Sequence, residues 1–591
     1  MQGFLPVNKK DMREQDIEQL DFVLVTGDAY VDHPSFAHAV ISRYLVGHGY
    51  SVGILAQPNW KTGDAFKALG RPRLGFLISA GNMDSMVNLY TAAKKRRGRD
   101  LYSPGGKAGK RPARTTQVYA KKIREAYGDV PIIVGGIEAS LRRFAHYDYW
   151  ENKILPSILA SSGADLLVYG MGERAIVEIA EALDGGLKVR DVTYVRGTVY
   201  KAENLERVYD YVELPGENKV NGEKHVFAEA FLTQMQNRRD VLVQQHKSCY
   251  IVQNPPANKL TQKELDFVYA LPYQRRAHPA YTQPVPALDE VKFSITATRG
   301  CVGECAFCAL YYHQGKELVW RSENSVLQEA EAFLADKEFK GYIHDVGGPT
   351  ANLYGTKCTN PAGVCAKRRC LVPVPCKHLK EGQRAYVKLL GKLRGLQGVK
   401  KVFIRSGVRH DLALMDKSGL FIRELAKHHV SGQLKLAPEH ASRRVTELMG
   451  KPPIERYEQF CRAFERESKK VGKKQHVLPY YMCAHPGCTL DDAIVLAEYM
   501  RDSGFCPEQA QEFYPTPGTL ASCMYYTGLN PLTGREVFVE KSVEGKAMQR
   551  ALMQYKNPGN AGMVGKALRK ADREDLAANG KRGLLRGRKR Q

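Results

Sequence analysis

No stretch of this chain approaches the roughly eighteen uninterrupted apolar residues of a membrane span, and its opening residues lack the basic-then-apolar order of a secretion signal. A spanning protein and an exported one are therefore not expected, which leaves a cytoplasmic protein with no membrane partner. Disulfides are not expected either, because that compartment keeps thiols reduced, so the thirteen cysteines call for metal ligation or catalysis. At 591 residues and 43% apolar the chain has material for two or three cores and is not a disordered tail. Its net charge of +25 suits attraction to nucleic acid or anionic surfaces and specifies no fold.

Over residues 1–203 short apolar runs alternate with helical patterns, which predicts a doubly wound α/β domain around a mainly parallel sheet. Its expected strands are Phe22–Thr26, Val52–Ala56, Gly75–Ser79, Ile132–Val134 and Leu166–Tyr169. The rows Phe36, Val40, Tyr44 and Ala37, Ile41, Leu45 predict a helix with one buried face, ending at Gly49. Across 204–286 the periodicity weakens and prolines gather (Pro255, Pro256, Pro272, Pro279), so a connector is expected. Within 287–530 a second series of strands follows: Lys292–Thr298, Gly341–Val346, Lys401–Ser406, Gln433–Ala437, His476–Met482 and Glu512–Tyr514. With helical patterns between them, these predict a TIM-like partial (β/α)6 barrel whose chemistry sits on the loops after strand ends. Residues 531–565 read as a C-terminal extension, and 566–591, with ten Lys/Arg against three Asp/Glu, as a basic, disordered tail.

The segment Cys301-Val-Gly-Glu-Cys305-Ala-Phe-Cys308 follows directly on the first of these barrel strands and Gly300. Three thiolates ligate three irons of a [4Fe–4S] cubane, and the loop holds no fourth cysteine. The iron left open can chelate the amino and carboxylate groups of S-adenosylmethionine, so that an electron reaching the sulfonium breaks the S–C5′ bond and yields methionine and a 5′-deoxyadenosyl radical. The protein's share is to position these groups and exclude water. A zinc knuckle prefers four ligands in paired C-x₂-C steps, unlike this x₃, x₂ spacing with Phe307 before the last cysteine.

These residues resemble the radical S-adenosylmethionine superfamily, whose signature is CxxxCxxC with an aromatic before the final cysteine. The resemblance implies Cys301, Cys305 and Cys308 as cluster ligands. It also implies that Gly347-Gly348-Pro349 stands where the superfamily has a Gly-Gly-Glu segment at the cofactor's amino group, with Pro349 replacing the Glu. Arg405-Ser406-Gly407 is placed like residues that approach the ribose and carboxylate, and Leu436-Ala-Pro-Glu439-His440 follows the fourth strand. Phe307, Gly347, Gly348, Arg405, Ser406 and Glu439 are thus the expected cofactor-binding residues, and no catalytic residue is named.

The flanks narrow the resemblance. Asp28-Ala-Tyr-Val-Asp-His-Pro-Ser-Phe36, Gly136-Ile-Glu-Ala-Ser-Leu-Arg-Arg-Phe-Ala-His-Tyr-Asp-Tyr-Trp150, Gly170-Met-Gly-Glu173, His278-Pro-Ala-Tyr281 and His313-Gln-Gly315 are similar to the YgiQ-type family over nearly the whole chain except the basic tail. That implies an N-terminal domain related to cobalamin-binding folds. The Asp-x-His-x-x-Gly pattern that gives cobalt its histidine is absent, so a vestigial or substrate-binding domain is expected ahead of a cobalamin site, with cobalamin bound without histidine left open.

Cys358, Cys365, Cys370 and Cys376 lie in an insertion at 350–380, where four thiolates suit zinc or an auxiliary iron–sulfur cluster, although the spacing matches no standard finger. A loop with incidental cysteines is the alternative. The basic, glycine-containing stretch from Lys94 to Arg114 suits either phosphate binding or a solvated loop, and lacks the ending of a P-loop. The main expectation is an enzyme that cleaves S-adenosylmethionine, needs a reducing electron donor, and acts on an unnamed substrate, nucleic acid or protein in view of the charge. The competing expectation is a metal-stabilised nucleic-acid-binding protein without turnover, whose binding would fall steeply with salt.

Overall fold

The structure, a computed structural model, describes residues 3–363, 365, 369–577 and 582–585. The apolar runs of the N-terminal part become strands buried on both faces, as in parallel sheets covered by helices. They are β1 (Phe22–Thr26), β2 (Val52–Ala56), β3 (Gly75–Ser79), β4 (Ile132–Gly135) and β5 (Leu166–Val168), running parallel in the spatial order β2-β1-β3-β4-β5. The chain leaves β1 toward β2 on one side and returns to β3 on the other. This reversal opens a crevice at the carboxyl ends of β1 and β3, the place where ligands of such sheets bind. The helix Ala37–Gly47 packs here through Val40, Tyr44 and Leu45, and Pro34 precedes it rather than sitting in its first turn.

The segment 204–286, expected as a connector, instead completes the sheet. After β6 (Thr198–Ala202), which runs antiparallel to β5, the strands β7 (Tyr211–Leu214), β8 (Val241–Gln245) and β9 (Tyr250–Gln253) extend it in the order β7-β8-β9-β6-β5. Their weak periodicity has a physical source: the edge strand β7 exposes Tyr211 and Glu213 and buries only Leu214 fully, so no apolar run marks it. The prolines lie beyond β9, where Arg276–Ala277 pairs with Val31–Asp32 and straps the segment back onto the domain.

The second series of strands builds the partial barrel. β10 (Ser294–Thr296) pairs in parallel with β12 (Asp345–Gly347), β11 (Tyr342–Ile343) with β13 (Lys401–Val402), and β14 (Gln433–Glu439) with β15 (His476–Cys483), which also pairs with β16 (Gln511–Glu512). Ile295, Ile343, Val346, Val402, Leu434 and Leu436 form its core with Phe333, Leu390, Phe421 and Phe460 from the surrounding helices. The architecture is mixed α/β with a radical-SAM-like partial barrel.

The tail expectation needs correction. The helix Ala561–Lys570 runs across its boundary and buries Val564, Ala567 and Leu568, and Leu576 and Leu584 join the same core, beside Ile494, Met500 and Leu552. The charge count of 566–591 concealed this because the basic residues Lys566, Arg569 and Lys570 occupy the helix's other face, as in any amphipathic helix. The remaining tail positions, 578–581 and 586–591, lie outside the described residues. Among the described residues no helix is long and apolar enough to cross a membrane.

Several histidines are buried as neutral rings. His429 directs Nδ1 at the carbonyl of Val402 at 2.8 Å and has no partner for Nε2, and burial lowers its pKa to about 4. His38, fully enclosed by the β1 side of the sheet, is likewise lowered to about 4 by burial. With the folded value below the unfolded one, the unfolded chain binds more protons between about pH 4 and 6.5, so each such ring stabilises the fold above pH 6.5 and loses that contribution on acidification. Thermal unfolding scans should show Tm falling steadily from pH 6.5 toward 4. A His429→Gln variant should flatten that fall, each ring contributing on the order of 3 kcal/mol at most.

Candidate active site at the domain junction

Gly300 turns the chain out of the barrel and into the cysteine segment. Its φ is +84°, and a β-carbon there would stand 2.1 Å from the carbonyl oxygen of Glu317. Gly300→Ala should therefore displace the cysteine loop and reduce the iron bound after reconstitution, with lost stability of about 1–3 kcal/mol. Unchanged iron content in that variant would contradict the tight approach.

Beyond this turn the three thiols face a buried, positively charged setting. The amide of Gly303 donates to the sulfur of Cys301 at 3.4 Å, and Arg409 Nη1 stands 3.5 Å from the sulfur of Cys305. Arg409 is held by Asp411, through Nε to Oδ1 at 3.0 Å and Nη2 to Oδ2 at 2.5 Å. Lys451, itself buried, reaches Glu439 at 3.5 Å and acts electrostatically on Cys308. Burial, followed by the neighbouring sulfurs, pushes the Cys301 thiol up to about 12; the same causes raise Cys308 to about 11. The three cysteines share one eight-residue loop.

The chemistry of the donor set fits a cluster: three thiols on one eight-residue loop can ligate three irons of a cubane. Three desolvated sulfurs carrying negative charge also need compensation, which Arg409, Lys451 and the Gly303 amide supply. Sequence reasoning missed Arg409 and Lys451, because nothing in the local sequence shows that they fold back onto the cysteines.

Glu304, inside the cysteine segment at a φ of +50°, organises the loop. It accepts from Tyr311 Oη at 3.0 Å and from the Cys370 amide at 2.9 Å, and pairs with Lys316 at 2.9 Å. Arg238 donates to the same Tyr311 oxygen at 2.7 Å.

A cavity of about 610 Å³ lies between the carboxyl ends of the N-terminal parallel strands and the barrel face. Gly347, Gly348, Pro349, Arg405 and Ser406 line its barrel side, with Thr298 and Arg299 just ahead of the cysteine loop and His313 just after it. The opposite wall comes from the crevice at β1 and β3 and from Gly135, Gly136 and Gly170–Glu173. The two glycines after β12 have a packing reason as well: a β-carbon at Gly347 would stand 2.5 Å from Ser406 Oγ, and one at Gly348 would stand 2.3 Å from the Thr298 carbonyl. Asp345 Oδ1 accepts from the amides of Arg405 and Ser406 at 2.7 and 3.1 Å, tying the next loop to the same point.

Two of the expected cofactor-binding residues stand apart from this cavity. Phe307 turns into the core against His485, ring to edge at 5.9 Å, and Glu439 is buried with Lys451 at a φ of +70°. Cys301, Cys305 and Cys308 likewise lie outside the cavity lining, and through Lys451 Glu439 sits beside the cysteine loop rather than in the cavity.

In the basic stretch from Lys94 to Arg114 the side chains of Lys94, Lys95, Arg96, Arg97, Arg99, Lys107 and Lys110 are exposed, whereas Arg111 and Arg114 are committed internally. Arg111 is fully buried between Asp28 and Asp100, at 2.7 and 2.8 Å, and Arg114 pairs with Asp148 and Glu151. A guanidinium committed to buried carboxylates has no donors to offer a phosphate.

Across the junction Arg299 pairs with Glu173 and donates from Nε to Tyr269 Oη at 3.2 Å. Glu173 opens the helix Glu173–Asp184 of the N-terminal domain, and Arg299 precedes Cys301 by two residues. The ion pair thus joins the cysteine loop to the other wall of the cavity.

Residues 4–294 match the family model described as Radical SAM N-terminal, and residues 508–591 match a domain of unknown function, DUF3362. A UPF0313 protein of Clostridium perfringens is 54% identical over 99% of this chain and 89% of its own length. One from Clostridium botulinum is 52% identical over 98% of this chain and 92% of its own. Among solved structures, the chain is similar to the radical S-adenosylmethionine methyltransferase TsrM from Kitasatospora setae, with cobalamin and a [4Fe–4S] cluster bound, at a TM-score of 0.48 and 15% identity, covering 84% of this chain and 77% of that one. It is also similar to the cobalamin-dependent S-adenosylmethionine radical enzyme OxsB, at a TM-score of 0.46 and 13% identity over 95% of this chain and 63% of that one. With more than half its residues identical to theirs along nearly its full length, the chain belongs to the UPF0313 family, and its N-terminal half carries the Radical SAM N-terminal match.

Proposed function

We propose that Cys301, Cys305 and Cys308 hold a [4Fe–4S] cluster and that the adjoining cavity seats S-adenosylmethionine with a substrate beside it, in a YgiQ-type enzyme of the reducing cytoplasm. The observation that carries this is a loop of three thiols, with Arg409 at the Cys305 sulfur, whose flanking residues Thr298, Arg299 and His313 line a cavity together with Gly347, Gly348, Arg405 and Ser406. When bound, the cluster and its cofactor supply one-electron cleavage of the sulfonium bond and a carbon radical able to take a hydrogen atom from substrate. Arg409 and Lys451 offset the charge of the thiolates, Gly347 and Gly348 let the cofactor approach the backbone, and Arg405 provides a cation for its carboxylate. The N-terminal crevice closes the cavity from the far side and shields it from water, which protects a reactive species. An external low-potential donor delivers the electron.

In this reading the N-terminal crevice binds substrate. A histidine-ligated cobalamin is not part of it, because the sequence lacks the Asp-x-His-x-x-Gly pattern that gives cobalt its histidine. A nucleic-acid-binding protein without turnover draws no support from Arg111 and Arg114, which are committed internally.

The test is anaerobic reconstitution with iron and sulfide, followed by electron paramagnetic resonance of the reduced protein with and without S-adenosylmethionine and assay of 5′-deoxyadenosine in the same samples. A cluster signal that shifts with the cofactor, together with 5′-deoxyadenosine, is the expected result. A reconstituted cluster indifferent to the cofactor would overturn the reading.

A further inference from the structure

The insertion after β12 holds four cysteines that this reading leaves unused, and the fold knots them together. The Cys376 amide donates to the Cys370 carbonyl at 2.8 Å, and the Leu379 amide to the Cys376 carbonyl at 2.9 Å. Leu379 is the cross-strand partner of Cys358. Cys370, Cys376 and Cys358 are therefore neighbours through a continuous chain of backbone bonds, though they span nineteen residues of sequence. Cys365 approaches from the other side: Lys316 Nζ donates to its carbonyl at 3.2 Å and Asn360 to its sulfur at 3.3 Å. Lys316 in turn meets Glu304, which receives the Cys370 amide.

All four are free thiols. Cys370 and Cys376 are buried, yet the apolar cluster they join is small: Val302, Leu353, Leu371, Leu379 and Leu412, with Cys301 packed against it. So little apolar surface is a weak reason for this insertion, rich in glycine and proline, to fold. Gathered thiols that lack both a disulfide and a sizeable core are the sequence and structural pattern of a metal-stapled loop. The backbone bonds bring the segments carrying Cys358, Cys370 and Cys376 together, and ligation would draw the sulfurs onto one centre, since thiolate sites assemble with their metal.

We propose that Cys358, Cys365, Cys370 and Cys376 form a second thiolate metal centre, separate from the Cys301, Cys305 and Cys308 site, that staples the insertion onto the cysteine loop through Glu304. The ligand chemistry is that of a thiophilic ion of the zinc class or a small iron–sulfur cluster, both of which four thiolates accept. Its position also suggests its use: through the Cys370 amide and Lys316 it fixes Glu304, and with it the segment between Cys301 and Cys305.

The test uses the full chain with Cys301, Cys305 and Cys308 all replaced by alanine, so that its outcome is independent of the first site. Zinc, iron and acid-labile sulfide are measured in protein purified anaerobically, and the metal-free form is titrated with cobalt(II). The expected result is retained metal, thiolate-to-cobalt charge-transfer bands, and weakening of cobalt binding by about a hundredfold or more on adding Cys370→Ser and Cys376→Ser. Zinc without sulfide identifies a single ion, and iron with sulfide identifies a cluster; either supports the centre when the two serines abolish it. Circular dichroism confirms that the serine variant is folded. Absence of metal and of cobalt bands, or bands unaffected by the serines, would overturn the proposal.

Discussion

Cys305→Ala, taken through anaerobic reconstitution, should form no 5′-deoxyadenosine above the level of iron-free protein. The argument rests on what the side chain touches. Its sulfur meets Arg409 Nη1 at 3.5 Å and the Gly303 carbonyl at 3.9 Å, and it is only partly buried. It is thus not a packing element, and its loss should cost the fold only about 1 kcal/mol. The loss of turnover should therefore come without a large change in Tm, which separates a missing ligand from an unfolded chain. Two cysteines leave the cubane one thiolate short, and Arg409 keeps Asp411 as its counter-charge. A Cys358→Ala variant should retain the first cluster. Cofactor cleavage surviving in Cys305→Ala would sink the ligand assignment.

A second large effect is expected at the domain junction. Arg299→Met removes the partner of Glu173, whose carboxylate is 2% exposed. A buried carboxylate stripped of its cation costs about 3–5 kcal/mol, more than the pair contributes when intact, because the charge is left without solvation or a partner. The variant should show a clear fall in Tm and weakened cofactor cleavage, since Arg299 lies two residues before Cys301 and lines the cavity. Adding Glu173→Gln should recover most of the stability, because a neutral amide at that site carries no uncompensated charge. Additive losses in the double variant would mean that the two side chains do not act as a pair.

The two predictions separate the functions of neighbouring residues. Cys305 concerns chemistry with little stability, and Arg299 concerns stability that reaches the chemistry through position. Gly300 connects them: its left-handed turn is the joint through which Arg299, fixed to the N-terminal domain, orients the thiols.

What the sequence by itself determined is local and patterned. Five central strands were legible because a strand buried on both faces is an unbroken apolar run. The cysteine triad stood out because its three cysteines lie within eight residues, so that the proposed ligation can be read from spacing alone. The Gly347-Gly348 and Arg405-Ser406 segments were legible as strand-end residues, and the cavity brings them together. Only the tertiary structure decided the rest. β7, β8 and β9 join the sheet through edge pairing, which depends on backbone groups rather than on apolar side chains. The helix across 561–570 is held by contacts with a distant core, so its charge count misled. Arg409, Lys451 and the Glu173–Arg299 pair reach the site from far along the chain, and long-range charge pairing leaves no periodic signal in a single sequence. Phe307 and Glu439 show the same limit: a motif places residues near a site, and packing in three dimensions decides that one meets His485 and the other Lys451.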